Sequence, residues 1–262
     1  MTMMKKLFLL ALIFTAIGYK SAGQEENRRF LSPEAGIDGI GCEAPEKDYI
    51  RAVTDQDPAD YYSDQINSLM TVYYAGCRFE YRMFNNLLGL SAGLRFNRMT
   101  TSIGRESYML SDPDYFYVNY YQSGQVTEYA KVREITQDGD YIGIPLEVRL
   151  YPRKEHRIRL YYKAGLSFNL KVHSRSDIVF FDSSMEQYRA DVMKVVEKAS
   201  PYYTTFHLGL GVKIGKTTKP AISFETYTPI GVIFPKGAWL VDPIAGSGLQ
   251  LVLSFPLNSV KE

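Results

Sequence analysis

The sequence predicts an all-β chain folded as an eight-stranded antiparallel up-and-down transmembrane β-barrel with short periplasmic turns and long extracellular loops. Three observations predict it. Eight stretches alternate apolar and polar residues with period two. The connections between those stretches alternate between short and long. An export signal stands in front of all of them.

The signal comes first in chain order. MTMMKKLFLLALIFTAIGYKSAGQ has a basic start at Lys5-Lys6, an apolar run from Leu7 to Ile17, and the small residues Ser21, Ala22 and Gly23 before Gln24. This reads as a secretory signal peptide over residues 1–23, with residues 24–262 as a single barrel domain. The apolar run is shorter than the ~20 residues of a spanning helix, and no cysteine stands at the cleavage site. Beyond it no stretch is apolar enough for a transmembrane helix, so the exported chain is either soluble outside the cytoplasm or crosses a membrane as strands. The net charge of +1 falls to −2 once Lys5, Lys6 and Lys20 leave with the signal. That balance offers no reason for a nucleic-acid partner. Tyrosine (21) and phenylalanine (14) are abundant, which suits strands better than helical bundles.

The alternating stretches follow in order. The first, Phe30 to Cys42, sets Leu31, Ala35 and Ile37 against Glu34 and Asp38. The second, Leu69 to Phe84, sets Tyr73, Ala75, Cys77, Phe79, Tyr81 and Met83 against Arg78, Glu80 and Arg82. The third, Leu87 to Thr101, sets Leu88, Leu90, Ala92, Leu94 and Phe96 against Ser91, Arg95 and Asn97. The fourth and fifth form one hairpin, from Tyr141 to Val172. There Ile142, Ile144, Leu146, Val148 and Leu150, then Ile158 through Val172 at every second position, oppose Gly143, Glu147, Arg149, Arg159, Lys163, Ser167, Asn169 and Lys171. The sixth, Tyr202 to Gly215, sets Phe206, Leu208, Leu210, Val212 and Ile214 against His207, Gly209, Gly211 and Lys213. The seventh, Ala221 to Ile233, sets Ile222, Phe224, Ile230 and Val232 against Ser223, Glu225 and Tyr227. The eighth, Gly246 to Leu257, sets Leu249, Leu251, Leu253 and Phe255 against Gly248, Gln250 and Ser254.

Alternation alone fits a soluble β-sandwich or calycin-like binding protein with the apolar parity inside, as well as a barrel with that parity in lipid. The connections favour the barrel. MFNNL, YPRKEHR and GKTTKPA are short, whereas 43–68, 102–140, 175–201 and 234–245 are long. Outer-membrane barrels keep short turns at one end and long loops at the other. This places the chain in the outer membrane of a Gram-negative bacterium, with outer-membrane lipid around it.

The polar parity then forms the lumen. A small barrel fills that space with side chains and is not a general porin. Arg78, Arg82, Arg95, Arg149, Arg159 and Lys163 can meet Glu34, Glu80, Glu147 and Glu225 there, since buried charges require partners. Cys42 falls on the polar parity and Cys77 on the apolar one, so two free thiols are expected. Within the long loops, Asp114 to Val132 reads as a protruding hairpin turning at Ser123-Gly124, with ten spanning strands as the alternative. Ser183 to Ser200 reads as a short helix with Met185, Tyr188, Val192 and Val195 on one stripe and Ser184 as its cap.

The hairpin also resembles a known family. YIGIPLEVRLYP followed by YYKAGLSFNL is similar to the central hairpin of the PorT-like outer-membrane β-barrel proteins. Ile144, Pro145 and Leu146 match the first element, and Ala164, Gly165, Leu166 and Ser167 the second, without the proline that often follows the glycine. The resemblance implies an eight-stranded barrel with both termini in the periplasm, no shared catalytic residues, and an accessory role in protein secretion with an envelope or secretion-system protein as partner.

Residues for catalysis are sparse. His156 sits in a short turn, while His173 and His207 share the polar parity of neighbouring strands and could approach each other near Glu225 or Tyr227, the arrangement a lipid-modifying enzyme would use. No serine stands in an obvious catalytic setting beside them, so no enzyme is expected. The acids of 55–60 and 112–117 lack the spacing of a calcium loop, and KIGKTTKP lacks the first glycine of a phosphate loop. No cofactor or metal is expected.

Overall fold

The computed structural model describes residues 29–43, 49–51, 66–104, 115–122, 125–152, 157–235 and 240–257. The signal peptide, His156, the acids of 55–60 and the Ser123-Gly124 turn lie outside the described residues. The described residues form ten strands: β1 (Arg29–Glu43), β2 (Ile50–Arg51), β3 (Asn67–Met83), β4 (Leu88–Gly104), β5 (Phe116–Gln122), β6 (Gln125–Leu150), β7 (Ile158–Phe180), β8 (Tyr202–Ile214), β9 (Ala221–Ile233) and β10 (Asp242–Pro256). Eight of them close a ring. β1 pairs with β3, β3 with β4, β4 with β6, β6 with β7, β7 with β8, β8 with β9, β9 with β10, and β10 returns to β1. Every pairing is antiparallel and joins consecutive strands of the ring, so the barrel is up-and-down. Closure leaves no sheet edge within it.

β2 and β5 stand outside the ring. β5 pairs only with the first part of β6, from Phe116 opposite Val132 to Gln122 opposite Gln125, and β2 adds two residues to β5. Within the 114–132 segment, β5 and the first part of β6 therefore lengthen the wall and are not a pair of further spanning strands.

The short turns follow from their residues. Phe84, Asn85 and Asn86 all adopt left-handed φ values of 53°, 53° and 63°, a conformation that asparagine accepts through its short polar side chain. Gly215 opens the β8–β9 turn at φ 136°, which only glycine adopts without strain. Both turns lie at the end where β1 begins and β10 ends; Leu257 N donates to Arg29 O there at 2.9 Å.

The apolar parity faces out. Ile142, Ile144, Leu146, Val148 and Leu150 on β6, Leu160 to Val172 on β7, and Phe206 to Ile214 on β8 form an exposed belt with the outward residues of the other strands. On β7 the belt runs from Ile158 to Val172. At ~3.3 Å per residue and a tilt of ~45° this covers roughly 33 Å, close to the ~30 Å hydrocarbon core of a bilayer.

Above the belt the polarity inverts. On β6, Ala130, Val132 and Ile135 point inward while Tyr129, Arg133 and Glu134 point outward. On β4, Met99 and Ile103 are buried and Arg98 is exposed; on β7, Ile178 and Phe180 are buried and Arg175 and Asp177 are exposed. The alternation read from sequence ends at this boundary, so β4, β6, β7 and β10 run further into the long connections than their apolar parity indicates. The inverted part encloses an apolar core of Ile40, Met70, Val72, Met99, Ile103, Phe116, Val118, Ile135, Tyr141, Ile178 and Tyr203, with Leu240 and Val241. The helical segment lies over it. It is a 3-10 turn (Ser183–Tyr188) continued by α1 (Arg189–Val195), not one helix to Ser200. Its cap is Asp182, whose side chain accepts from Ser184 N, in place of Ser184 itself. That hydrogen bond holds the Asp182 carboxyl below the usual range. Val192 and Val196 are buried in the core, and Met185, Tyr188 and Val195 pack against it.

The inverted pattern has a direct consequence. Leu166 lies near the middle of the belt and is 41% exposed. Leu166→Arg should lower the unfolding free energy in lipid vesicles by about 2–4 kcal/mol, measured by urea titration. Leu166→Phe should leave it nearly unchanged.

Candidate functional site: a charged lumen under an apolar dome

Glycine, serine and charged residues alternate with the belt residues, and closure brings them together from all eight strands. Glu34, Arg78, Glu80, Arg82, Arg95, Glu147, Arg149, Arg159, Lys163 and Glu225 are all buried, none more than 7% exposed. Their centre is Arg78 on β3. Its Nη1 lies 2.8 Å from Glu34 Oε2 on β1 and 2.7 Å from Glu147 Oε2 on β6, and its Nη2 lies 3.0 Å from Glu225 Oε1 on β9. Arg95 joins Glu34 at 2.7 Å and Glu147 at 3.3 Å. Arg149 joins Glu147 at 2.9 Å, Glu225 at 2.8 Å and Glu80 at 3.3 Å. Lys163 Nζ donates to Glu225 Oε2 at 2.6 Å and to Gln250 at 2.8 Å, and Gln250 donates onward to Glu34 at 2.6 Å. One connected network thus ties β1, β3, β4, β6, β7, β9 and β10.

Aromatic residues complete it. Tyr161 donates to Glu225 at 2.5 Å and Tyr151 to Glu80 at 3.0 Å. Arg82 stacks between the Phe30 and Tyr151 rings at 4.2 and 4.4 Å, and Arg95 lies 4.3 Å from the Tyr74 ring. Tyr227 donates to Asp38 at 2.5 Å and is hydrogen-bonded to Tyr74. Tyr151, Tyr161 and Tyr74 were absent from the ten residues derived from charge alone. Their signal was available: each is an aromatic on the parity that otherwise holds charge.

The histidine pair does not exist. His207 is buried, 3.7 Å from Glu147 Oε1, with its ring 4.9 Å from that of Tyr227. Its cross-strand partner on β7 is Gly165, eight residues from His173 along the strand, or roughly 26 Å at 3.3 Å per residue. His173 is also exposed, because the register of β6 and β7 shifts between Asp140 and Tyr141 and turns it outward. A second parity expectation fails for a similar reason. Ile230 is 1% exposed and lies in the dome core, because Thr228 and Pro229 both point outward and reverse the alternation of β9. The register of β8 with β9 shifts at the same level.

Gly165 has a specific role. A Cβ there would come within 2.6 Å of His207 and 2.9 Å of the Glu147 side chain. Only glycine lets these two groups cross the strand. The cysteines remain free, Cys77 exposed on the belt and Cys42 half-buried with Sγ donating to Ile40 O at 3.4 Å. Among the described residues no group of three His, Cys, Asp or Glu could hold a metal ion.

The fold and lumen together define a closed, inside-out β-barrel with a plugged interior. In comparisons with known proteins, no family model and no curated protein matches the chain. Solved structures do align with it along most of their length. The outer membrane protein OprG from Pseudomonas aeruginosa aligns over 88% of this chain and 94% of its own at 11% identity, with a TM-score of 0.40. The translocator domain of the autotransporter NalP from Neisseria meningitidis covers 96% and 95% at 9% identity and a TM-score of 0.31. The transport unit of the autotransporter AIDA-I from Escherichia coli covers 94% and 97% at 8% identity and a TM-score of 0.27.

The network sets a stability expectation. Glu225 accepts from Arg78, Arg149, Tyr161 and Lys163 and is fully buried. Glu225→Gln leaves several cations under-compensated and should destabilise the barrel by about 3–5 kcal/mol. Urea unfolding in vesicles, followed by tyrosine fluorescence, measures it.

Proposed function

We propose that this chain is a non-enzymatic outer-membrane barrel of a Gram-negative bacterium, held in outer-membrane lipid, that conducts nothing and presents its extracellular wall to a protein partner. The observation that carries this reading is double closure. Ion pairs fill the lumen within the belt, and an apolar core sealed by Val192 and Val196 fills the space above it. A solute would have to break both. Work then falls to surfaces. The outer face of the wall carries Tyr129, Val179 and Phe181, all exposed. Lys131 lies 4.8 Å from the Tyr115 ring and Arg133 5.0 Å from the Phe181 ring. Exposed aromatic rings and an arginine beside them are residue types enriched where proteins bind proteins.

A second, narrower reading is an accessory role in protein secretion, as in the PorT-like proteins. Its support is the hairpin of resemblance. Pro145 pairs with Ser167 and Leu146 with Leu166, so the two matching segments are direct cross-strand neighbours. The reading predicts that deleting the gene changes the set of secreted proteins; an unchanged set removes it.

The main reading is tested by reconstituting the protein in a planar bilayer. No stepwise conductance should appear. Stable open-channel currents with the selectivity of the purified protein would overturn it, as would recovery of the exported chain in soluble, detergent-free form.

A further inference from the structure

The network leaves a residue of positive charge at one end. Among the described lumen residues, the buried bases are Arg78, Arg82, Arg95, Arg149, Arg159, Lys163 and Lys213, and the buried carboxylates are Glu34, Glu80, Glu147 and Glu225. Asp38 adds a carboxylate only at the far end, under the dome, where it is engaged by Tyr227. Arg78, Arg95, Arg149 and Lys163 share Glu34, Glu147 and Glu225, and each of the four has a carboxylate partner. Lys213, whose ammonium has none within hydrogen-bond distance, sits beside the short turns.

There the only carboxylate among the described buried residues is Glu80, and both its oxygens are committed. Oε1 receives Arg82 Nε at 2.6 Å and Tyr151 at 3.0 Å, and Oε2 receives Arg149 at 3.3 Å. Lys213 on β8 has no such partner. It is 1% exposed, and its Nζ makes no hydrogen bond among the described residues. It lies 4.8 Å from the centre of the Phe30 ring. That same ring carries Arg82, whose Nη1 also makes no hydrogen bond. Arg159 is the cross-strand partner of Lys213 and adds a third positive charge at this level. Ser223, the β9 partner of Lys213, is buried beside it. Glu80 is the nearest counter-charge and is already shared among Arg82, Arg149 and Tyr151, and an ammonium taken out of water with no acceptor of its own costs several kcal/mol. Two buried donors without acceptors, both within about 5 Å of one aromatic ring and carried by β3 and β8, are the groups a small anion needs.

We propose that the end of the lumen beside the short turns is a binding site for one small monovalent anion of the halide class, held by Lys213 Nζ and Arg82 Nη1. Arg159 adds long-range attraction to it. The anion reduces the positive excess that the four glutamates leave, and it lies at the barrel floor as the apolar core lies at the top. Entry is from the side of the short turns, three residues or fewer from the site on β3 and β8.

The test uses the whole folded protein in lipid vesicles, with chloride and bromide as probes and gluconate at equal ionic strength as the anion too large to enter. Above the dissociation constant, each tenfold rise in chloride or bromide should lower the unfolding equilibrium constant about tenfold, the dependence for one ion bound only by the folded state. Gluconate should give no such dependence. Lys213→Met removes the charge that needs an anion, so it should fold in gluconate at least as well as the parent chain and lose the halide dependence. Crystals grown with bromide should show one anomalous peak within hydrogen-bond distance of Lys213 Nζ. Identical stability of the parent chain in halide and gluconate, or a bromide peak elsewhere only, overturns the proposal. Neither result touches the non-conducting reading, which the bilayer measurement decides.

Discussion

The structure depends on Arg78 and the three glutamates around it. With hydrocarbon outside, apolar side chains gain little by turning inward, so burial of oily surface cannot hold the lower half of the ring together. Backbone hydrogen bonds join each strand to its neighbours but do not reach across the lumen. The guanidinium of Arg78 does reach across, from β3 to β1, β6 and β9. Its planar fork suits several carboxylates at once, which a lysine in that position could not match. The remaining members of the network meet carboxylate oxygens that Arg78 leaves open.

The same ring works by the opposite rule above the belt. There water surrounds the wall, and the apolar residues turn in. Val132, Ile135, Ile103 and Ile178 form a core of the ordinary water-soluble kind, driven by burial. One continuous strand such as β6 therefore crosses two solvents and carries two patterns. Its lower part reads apolar outside from Ile142 to Leu150; its upper part reads apolar inside from Ala130 to Tyr141. The change of sign marks where the strand leaves lipid. It also accounts for the core above the lumen: a wall that rises into water must fill its own interior, and this one does so with apolar residues.

The alternation of Ile142 to Leu150 and Ile158 to Val172, the short turns and the matched charges of the polar parity were all legible in the sequence. They are local: period two is a property of any strand, and a charge every second residue stands out without knowledge of the fold. The upper halves of β6 and β7 were not legible as ring strands, because their alternation is weaker and of opposite sign. Tyr151 and Tyr161 were passed over for a related reason, since an aromatic residue belongs equally well in lipid or in a lumen. His173 and Ile230 were misplaced because register shifts change the face of every later residue, and nothing in the residue types announces them.

The sequence by itself determined that eight ribbons have one oily and one charged side, and that the chain turns tightly at one end. Only the tertiary structure decided which charges meet, which residues the shifts reverse, and that an apolar core fills the upper end. Those outcomes depend on closing the ring, which sets β1 beside β10 and aims Glu34, Glu147 and Glu225 at one arginine. Closure is a relation among strands far apart in the chain, and no single stretch of sequence contains it.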